Sequence, residues 1–268
     1  MTSDLFDRPA MLFLPASRAG AIVRARQSAA DIVVLDLEDA VRDEDKEAAR
    51  DAAMAAVAGE AEPWPIPLFI RINGVGTVHH GPDLAAVLHS PVRRVLVPSV
   101  GKAAELHGVA RIVGQPVAAM IETAEAVMNI REIAHEASAL VVGTNDLSAE
   151  LRLPAAAGRG ALITALQTVV LAARAAGKPV FDGVFNRLDD AEGFAAEARE
   201  GRSFGFDGKS LIHPDQIAPC RLAFAPTPDE VARAERLVAA ATGGAERFEG
   251  QMIEQMHVDA ARRLLARR

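Results

Sequence analysis

The sequence contains no tyrosine, a single tryptophan (Trp64) and a single cysteine (Cys220). One cysteine cannot close an internal disulfide, which fits a reducing compartment. Beside Pro219, Cys220 reads as a packed thiol rather than a nucleophile. Aromatic residues make up 4% of the chain and apolar residues 50%, so the core must be built from Ala, Val, Leu and Ile. That composition suits parallel strands buried under Ala-rich helices. An excess of positive charge is also missing. The formal net charge of −7 argues against nucleic acid or an anionic membrane as partner, since both reward clustered Lys and Arg. It leaves open a small anionic substrate, which answers to the field of one cleft. No apolar run reaches about 18 residues, and no basic start followed by an apolar stretch is present. The expectation is a cytoplasmic protein. The segment PASRAGA (15–21) lacks the glycine spacing of a dinucleotide site.

What is present is an alternation. Short β-branched runs fall at 10–16, 31–37, 67–73, 93–98, 116–122, 139–145, 179–185 and about 203–212. Between them lie stretches with helical spacing, among them 43–58, 101–111, 124–136, 160–176 and 189–200; the one at 82–88 is short. Pro67, Pro116 and Pro179 stand at strand entries, and Gly177 closes a helix. Strands alternating with helices imply a parallel sheet. Eight such units without a linker, in 268 residues, predict an α/β protein of the (β/α)8 TIM-barrel class, typically roughly 250 residues long. The expected organisation is a catalytic barrel over 1–225 and a helical C-terminal extension over 226–268, interrupted by ATGGAERFEG (241–250).

In such a barrel the chemistry sits at the C-terminal ends of the strands, where this sequence gathers polar side chains. Strand by strand they are Ser17 and Arg18; Asp36, Glu38 and Asp39; Arg71 and Asn73; Glu122; Asn145 and Asp146; Asp182; and Lys209 leading to His213. In IVVLDLE, Ile32, Val34, Asp36 and Glu38 share one face and Val33, Leu35 and Leu37 the other. The second set can meet the helices while Asp36 and Glu38 point into the mouth. Carboxylates converging on one cleft repel unless a cation joins them; a metal ion and the guanidiniums of Arg18 and Arg71 are the candidates. Oxygen ligands suit Mg²⁺, or Mn²⁺ in its place. Glu122 and Asp146, on neighbouring strands, meet the Mg²⁺ demand for one or two carboxylates. Arg71 can grip a substrate carboxylate with two parallel hydrogen bonds. Each signal has a plainer reading: Asp146 as a helix N-cap, Glu122 in the first turn of ETAEA, Ser17 as a cap, and Asp182-Gly183 as a turn. His79 and His80 lie in a loop.

Taken together, LFLPASR (12–18), DIVVLDLEDAVRDEDKEAAR (31–50), IRING (70–74), IETAEAVMNIREIA (121–134), VGTNDLSAEL (142–151), AARAAGKPVFDGVFN (172–186), GFDGKSLIHPDQI (205–217) and FEGQMIEQMHVDAARRLL (248–265) resemble the citrate lyase β-subunit-like group of the HpcH/HpaI aldolase and citrate lyase family. The resemblance implies a Mg²⁺-dependent barrel, a homotrimer or dimer of trimers, that cleaves a 3-hydroxyacyl thioester on CoA or a carrier protein. The products would be a 2-oxo acid and an acyl thioester. Matched position by position, Glu122 and Asp146 correspond to the metal ligands and Arg71 to the holder of the oxo-acid carboxylate. Glu38 and Asp39 correspond to the acidic pair ordering water, and Arg18 lies in the motif lining the substrate pocket. Glu254 corresponds to an acid/base presented by the C-terminal segment to a neighbouring subunit. The chain departs from many relatives at Ala16, Ser99, Ser210 and Glu254. A thioester-independent class II aldolase acting on pyruvate and a non-catalytic subunit of a lyase complex are the alternatives.

Overall fold

The computed structural model describes residues 4–58 and 64–266. Strand and helix alternate from the start: β1 (Ala10–Pro15), α1 (Ala19–Arg26), β2 (Ile32–Asp36), α2 (Lys46–Ala58), β3 (Leu68–Arg71), α3 (His80–Leu88), β4 (Val95–Val97) and α4 (Ala103–Val113). Then come β5 (Ala118–Ile121), α5 (Ala124–Met128), α6 (Ile130–Glu136), β6 (Leu140–Val142), α7 (Thr144–Glu150), α8 (Ile163–Ala176), β7 (Val180–Asp182), α9 (Ala191–Phe204), β8 (Gly208–Leu211) and α10 (Ile217–Phe224). The eight strands close into a barrel in sequence order, all parallel, with β8 pairing back onto β1. Closure depends on Gly208, since a Cβ there would run into the Pro9 backbone of the first strand's approach.

The interior follows the period-two pattern. Met11, Ile32, Val34, Phe69, Leu96, Met120, Val141 and Phe181 form one buried cluster inside the barrel, with Phe13 packed on it. Val33, Leu35 and Leu37, the opposite face of β2, are equally buried, as a two-sided strand requires. Helix starts are capped by side chains: Thr123 accepts from the Ala126 N–H at α5 and Asp190 from the Gly193 N–H at α9.

The structure departs from the sequence reading at several element boundaries; Thr144 and Asn145, read within strand six, open α7. Residues 203 and 204, read as the start of strand eight, finish α9, whose buried stripe of Phe194, Ala198 and Gly201 holds them in helical phase. The helix expected over 124–136 breaks at Asn129, whose side-chain amide donates to Gly101 O. The C-terminal region is not purely helical either.

The chain forms two compact units, Met1–Ala223 and Phe224–Arg268. In the second, α11 (Pro228–Ala240) begins with a capping box between Thr227 and Glu230. An antiparallel hairpin follows, β9 (Glu246–Phe248) and β10 (Gln251–Ile253), and then α12 (Gln255–Leu265). Its two-residue turn, Glu249-Gly250, has φ of 47° and 81°, the signs a type I′ hairpin turn requires. Ala234, Leu237, Ile253, Val258 and Ala261 make the unit's own core, and Arg236 pairs with Glu249 at 2.9 Å.

Candidate active site

A cavity of about 380 Å³ opens at the C-terminal end of the barrel, lined by residues from or just beyond every strand except β4. Phe13, Met120, Val142, Val184 and Ile212 supply apolar walls, and Arg18, Asp36, Asp39, Arg71, Asn145, Asp146, Asn186 and Ser210 the polar groups. Asn145 and Asn186 exchange side-chain hydrogen bonds at 3.3 and 2.7 Å.

The β2–β3 register sets Asp36 beside Arg71. The Asp36 carboxylate accepts from Arg71 Nε at 2.7 Å and Nη2 at 2.6 Å, a bidentate pair. It also accepts from the Glu38 and Ala40 N–H groups, at 2.9 and 3.2 Å. Asp36 thus fixes both the guanidinium and the loop leaving β2. Arg71 Nη1 faces Glu38 Oε2 at 2.9 Å and Asp39 at 3.5 Å, and the guanidinium lies 5.5 Å over the Phe13 ring. Burial opposes the Arg71 charge, but Asp36, then Glu38 and Asp39, outweigh it and raise its pKa. Burial also pushes Glu38 up to about 8; Arg71 offsets this in part, and Asp39, Glu122 and Asp36 add to it.

Across the barrel, Glu122 follows the last residue of β5 and is 2% exposed. The Ser99 N–H and hydroxyl both donate to its Oε1, at 2.6 and 3.0 Å. Ser99 achieves this from a left-handed conformation, φ 49°. Glu122 Oε2 is buried and has no hydrogen-bond partner. Gly143 makes room for this carboxylate, which a Cβ there would strike. Asp146, in the first turn of α7, stands near enough for its charge to bear on Glu122. Burial raises the pKa of both, against Ser99 and Arg71 in the one case and with Asp39 in the other.

The plainer readings of these two acids do not hold. Thr123 is the N-cap of α5, so Glu122 lies outside that helix, and Gly143 occupies the cap position before Asp146. A buried carboxylate oxygen without a donor, beside a second carboxylate and with both proton affinities raised, is a donor set that fits a hard divalent cation. Among the described residues no group of three or more His, Cys, Asp or Glu side chains forms a cage. Mg²⁺ commonly uses one or two protein carboxylates and completes its shell with water and substrate.

Other sequence candidates go elsewhere. Asp182 and Lys209, read as mouth residues, are fully buried away from the cavity. Lys209 Nζ bonds Asp182, Gly183 O and Glu197 of α9 at 3.1, 2.6 and 2.7 Å, and Arg159 joins Asp182 at 2.9 Å. Asn73 lies in a second buried network, taking the Lys46 ammonium at 2.7 Å and giving its amide to Asp83 at 2.7 Å. His80 bonds Asn73 O, and His213 caps the turn before α10 by accepting from the Asp215 N–H. Ser17 makes no cap; the N-cap position of α1 is Arg18. The buried Cys220 thiol is pushed up to about 12 by burial, which suits packing and not nucleophilic attack. Glu254 belongs to the second unit, exposed at the N-cap of α12, its N–H donating to His257 Nδ1. The sequence reading noted Ser99 only as a departure from relatives; its hold on Glu122 and the organising role of Asp36 escaped it.

A closed parallel barrel with a carboxylate centre at its C-terminal mouth defines a (β/α)8 enzyme scaffold. The HpcH/HpaI aldolase/citrate lyase family profile matches residues 9–214, and the chain belongs to that family. It is 37% identical over 266 residues to the (3S)-malyl-CoA thioesterase of Cereibacter sphaeroides, covering 96% of this chain and 93% of the relative. It is 36% identical over 272 residues to the citrate lyase subunit beta-like protein of Deinococcus radiodurans, covering 96% and 95%. Among solved structures, the Mycobacterium tuberculosis protein CitE in complex with magnesium, acetoacetate and coenzyme A superposes with a TM-score of 0.86 at 33% identity. That match covers 98% of this chain and 99% of CitE.

Proposed function

We propose that this protein is a Mg²⁺-dependent carbon–carbon lyase that cleaves, or forms, a 3-hydroxyacyl thioester of the malyl, citramalyl or citryl type. The products are a 2-oxo acid and an acetyl or acyl thioester. The observation that carries the reading is Glu122 Oε2, buried without a donor beside Asp146. The CitE complex with magnesium and coenzyme A supports it.

In this reading Glu122 and Asp146 hold the cation. When bound there, it stabilises negative charge on the acid's oxygens, an effect on the order of several kcal/mol. Arg71, kept charged and oriented by Asp36, directs its remaining donor capacity at the acid's carboxylate and holds the reacting carbons near attack geometry. Glu38 and Asp39 order water, and Glu38 in its ionised form accepts the substrate hydroxyl proton. Loss of that proton drives scission of the bond between the carbinol carbon and the thioester α-carbon; the electron pair passes to the thioester enolate. Glu254, presented by a neighbouring copy of the chain, returns a proton to the α-carbon. Arg18 stands at the cavity wall on the substrate's path.

The test incubates purified protein and Mg²⁺ with malyl-CoA, citramalyl-CoA and citryl-CoA, following 2-oxo acid and free thiol with and without EDTA. The lyase releases oxo acid, no thiol, and nothing in EDTA. A second reading, thioester hydrolysis, draws on the name of the Cereibacter relatives; it would release thiol and no oxo acid. Oxo-acid turnover with aldehyde acceptors alone would mark a pyruvate aldolase. Metal binding with no product of either kind would contradict the lyase reading and favour a non-catalytic subunit.

A further inference from the structure

Strand β8 presents successive side chains to opposite faces. Lys209 turns outward to Asp182 and Glu197, and Ser210 lines the cavity. Ser210 is 1% exposed, yet its hydroxyl has no hydrogen-bond partner. Its cavity neighbours include the apolar Phe13, Met120 and Val184. A hydroxyl in such surroundings loses its hydration without compensation unless a ligand supplies the partner.

A cation held by Glu122 and Asp146 would not remove the need for another donor. Arg71 gives Nε and Nη2 to Asp36 and turns Nη1 to Glu38. Two-point capture of a carboxylate through Nη1 and Nη2 would therefore compete with Glu38. Asp36 already accepts four hydrogen bonds. Ser210 and Arg71 line the same cavity, where the acid half of a substrate would sit.

We propose that Ser210 is a substrate-binding residue whose hydroxyl donates to a carboxylate oxygen of the 2-oxo acid, supplying a hydrogen bond that Arg71, held by its own acidic partners, leaves unmade. The proposal rests on the lyase reading for the identity of the acid. It has a double signature. Removing an unpartnered buried hydroxyl costs the free protein nothing, whereas the bound acid loses a charge-assisted hydrogen bond, roughly a tenfold to hundredfold change in affinity.

The experiment measures pyruvate and glyoxylate binding by calorimetry in Mg²⁺, coenzyme A binding, and the Tm of ligand-free protein, for wild type and Ser210→Ala. Expected are oxo-acid affinity at least tenfold weaker, unchanged coenzyme A affinity, and an equal or higher Tm. Wild-type oxo-acid affinity in Ser210→Ala overturns the proposal. So does a Tm lowered by several degrees, which would mean the hydroxyl serves the fold. If wild type itself binds no oxo acid, the lyase reading fails first; if it binds and the variant binds equally, only the role of Ser210 fails.

Discussion

Replacing Asp36 by Asn probes the organisation of the site at its most connected point. The carboxylate is 1% exposed and accepts from two Arg71 nitrogens and two backbone N–H groups. Asn keeps one acceptor oxygen and turns an NH2 group toward donors. Breaking a buried ion pair from one side costs about 3–5 kcal/mol. Arg71 retains Glu38 at 2.9 Å, which places the expected loss near the lower end, about 3 kcal/mol. For a chain of this size that corresponds to a Tm lowered by roughly 6–12 °C. Freed from its anchor, the guanidinium loses its aim, and a misplacement of about 1 Å is enough to cost on the order of a hundredfold in turnover. Urea unfolding and steady-state kinetics measure the two effects. A stability loss under about 1 kcal/mol, with kinetic constants unchanged, would refute the assignment of Asp36 as organiser of Arg71 and the Glu38–Ala40 segment.

Three further outcomes are expected. Gly143 has φ −96°, so Ala meets no left-handed strain there, and its Cβ acts only by striking Glu122. Gly143→Ala should weaken Mg²⁺ binding at least tenfold while far-UV circular dichroism stays unchanged. Burial raises Glu38 from 4.5 to about 8, so in metal-free protein the native state keeps a proton that the unfolded chain has released. The resulting stabilisation is full below pH 4.5 and lost as pH rises through about 8. Glu38→Gln should accordingly gain stability relative to wild type between those limits, a trend denaturant midpoints across the range will reveal. Glu122 is also raised, so cation binding must displace protons. Affinity should climb as pH rises above the ordinary carboxylate range, with proton release visible by calorimetry in two buffers of different ionisation heat.

The barrel was legible because its signals are local. β-branched runs behind Pro67, Pro116 and Pro179 mark strands, and the alternation in IVVLDLE correctly turns Ile32 and Val34 inward. Strand eight was begun too early because Phe204 and Phe206 read together as a strand-like run, yet Ser203 and Phe204 finish a helix whose phase is set by Phe194 and Ala198. The C-terminal hairpin stayed hidden because Glu249 adopts a positive φ without the Asn or Asp that usually announces such a turn. At the site, sequence placed Arg71, Asp36, Asp39, Asp146 and Arg18 on strand ends, and all five line the cavity. It could not see that the register sets Asp36 against Arg71, or that Ser99 reaches Glu122 from a left-handed exit of β4. Asp182 and Lys209 misled for a related reason. Their pairing across β7 and β8 orients them toward α9, a contact that depends on tertiary packing.

The most direct test of the account is a calorimetric titration of Mg²⁺ into metal-free wild type, Glu122→Gln and Asp146→Asn, with Tm followed in parallel. The account predicts one ion per chain and a metal-dependent rise in Tm for wild type, no detectable binding for Glu122→Gln, and weakened binding for Asp146→Asn. Wild-type affinity in Glu122→Gln would contradict it, because the unpaired oxygen at the centre of the site would then have no cation to hold.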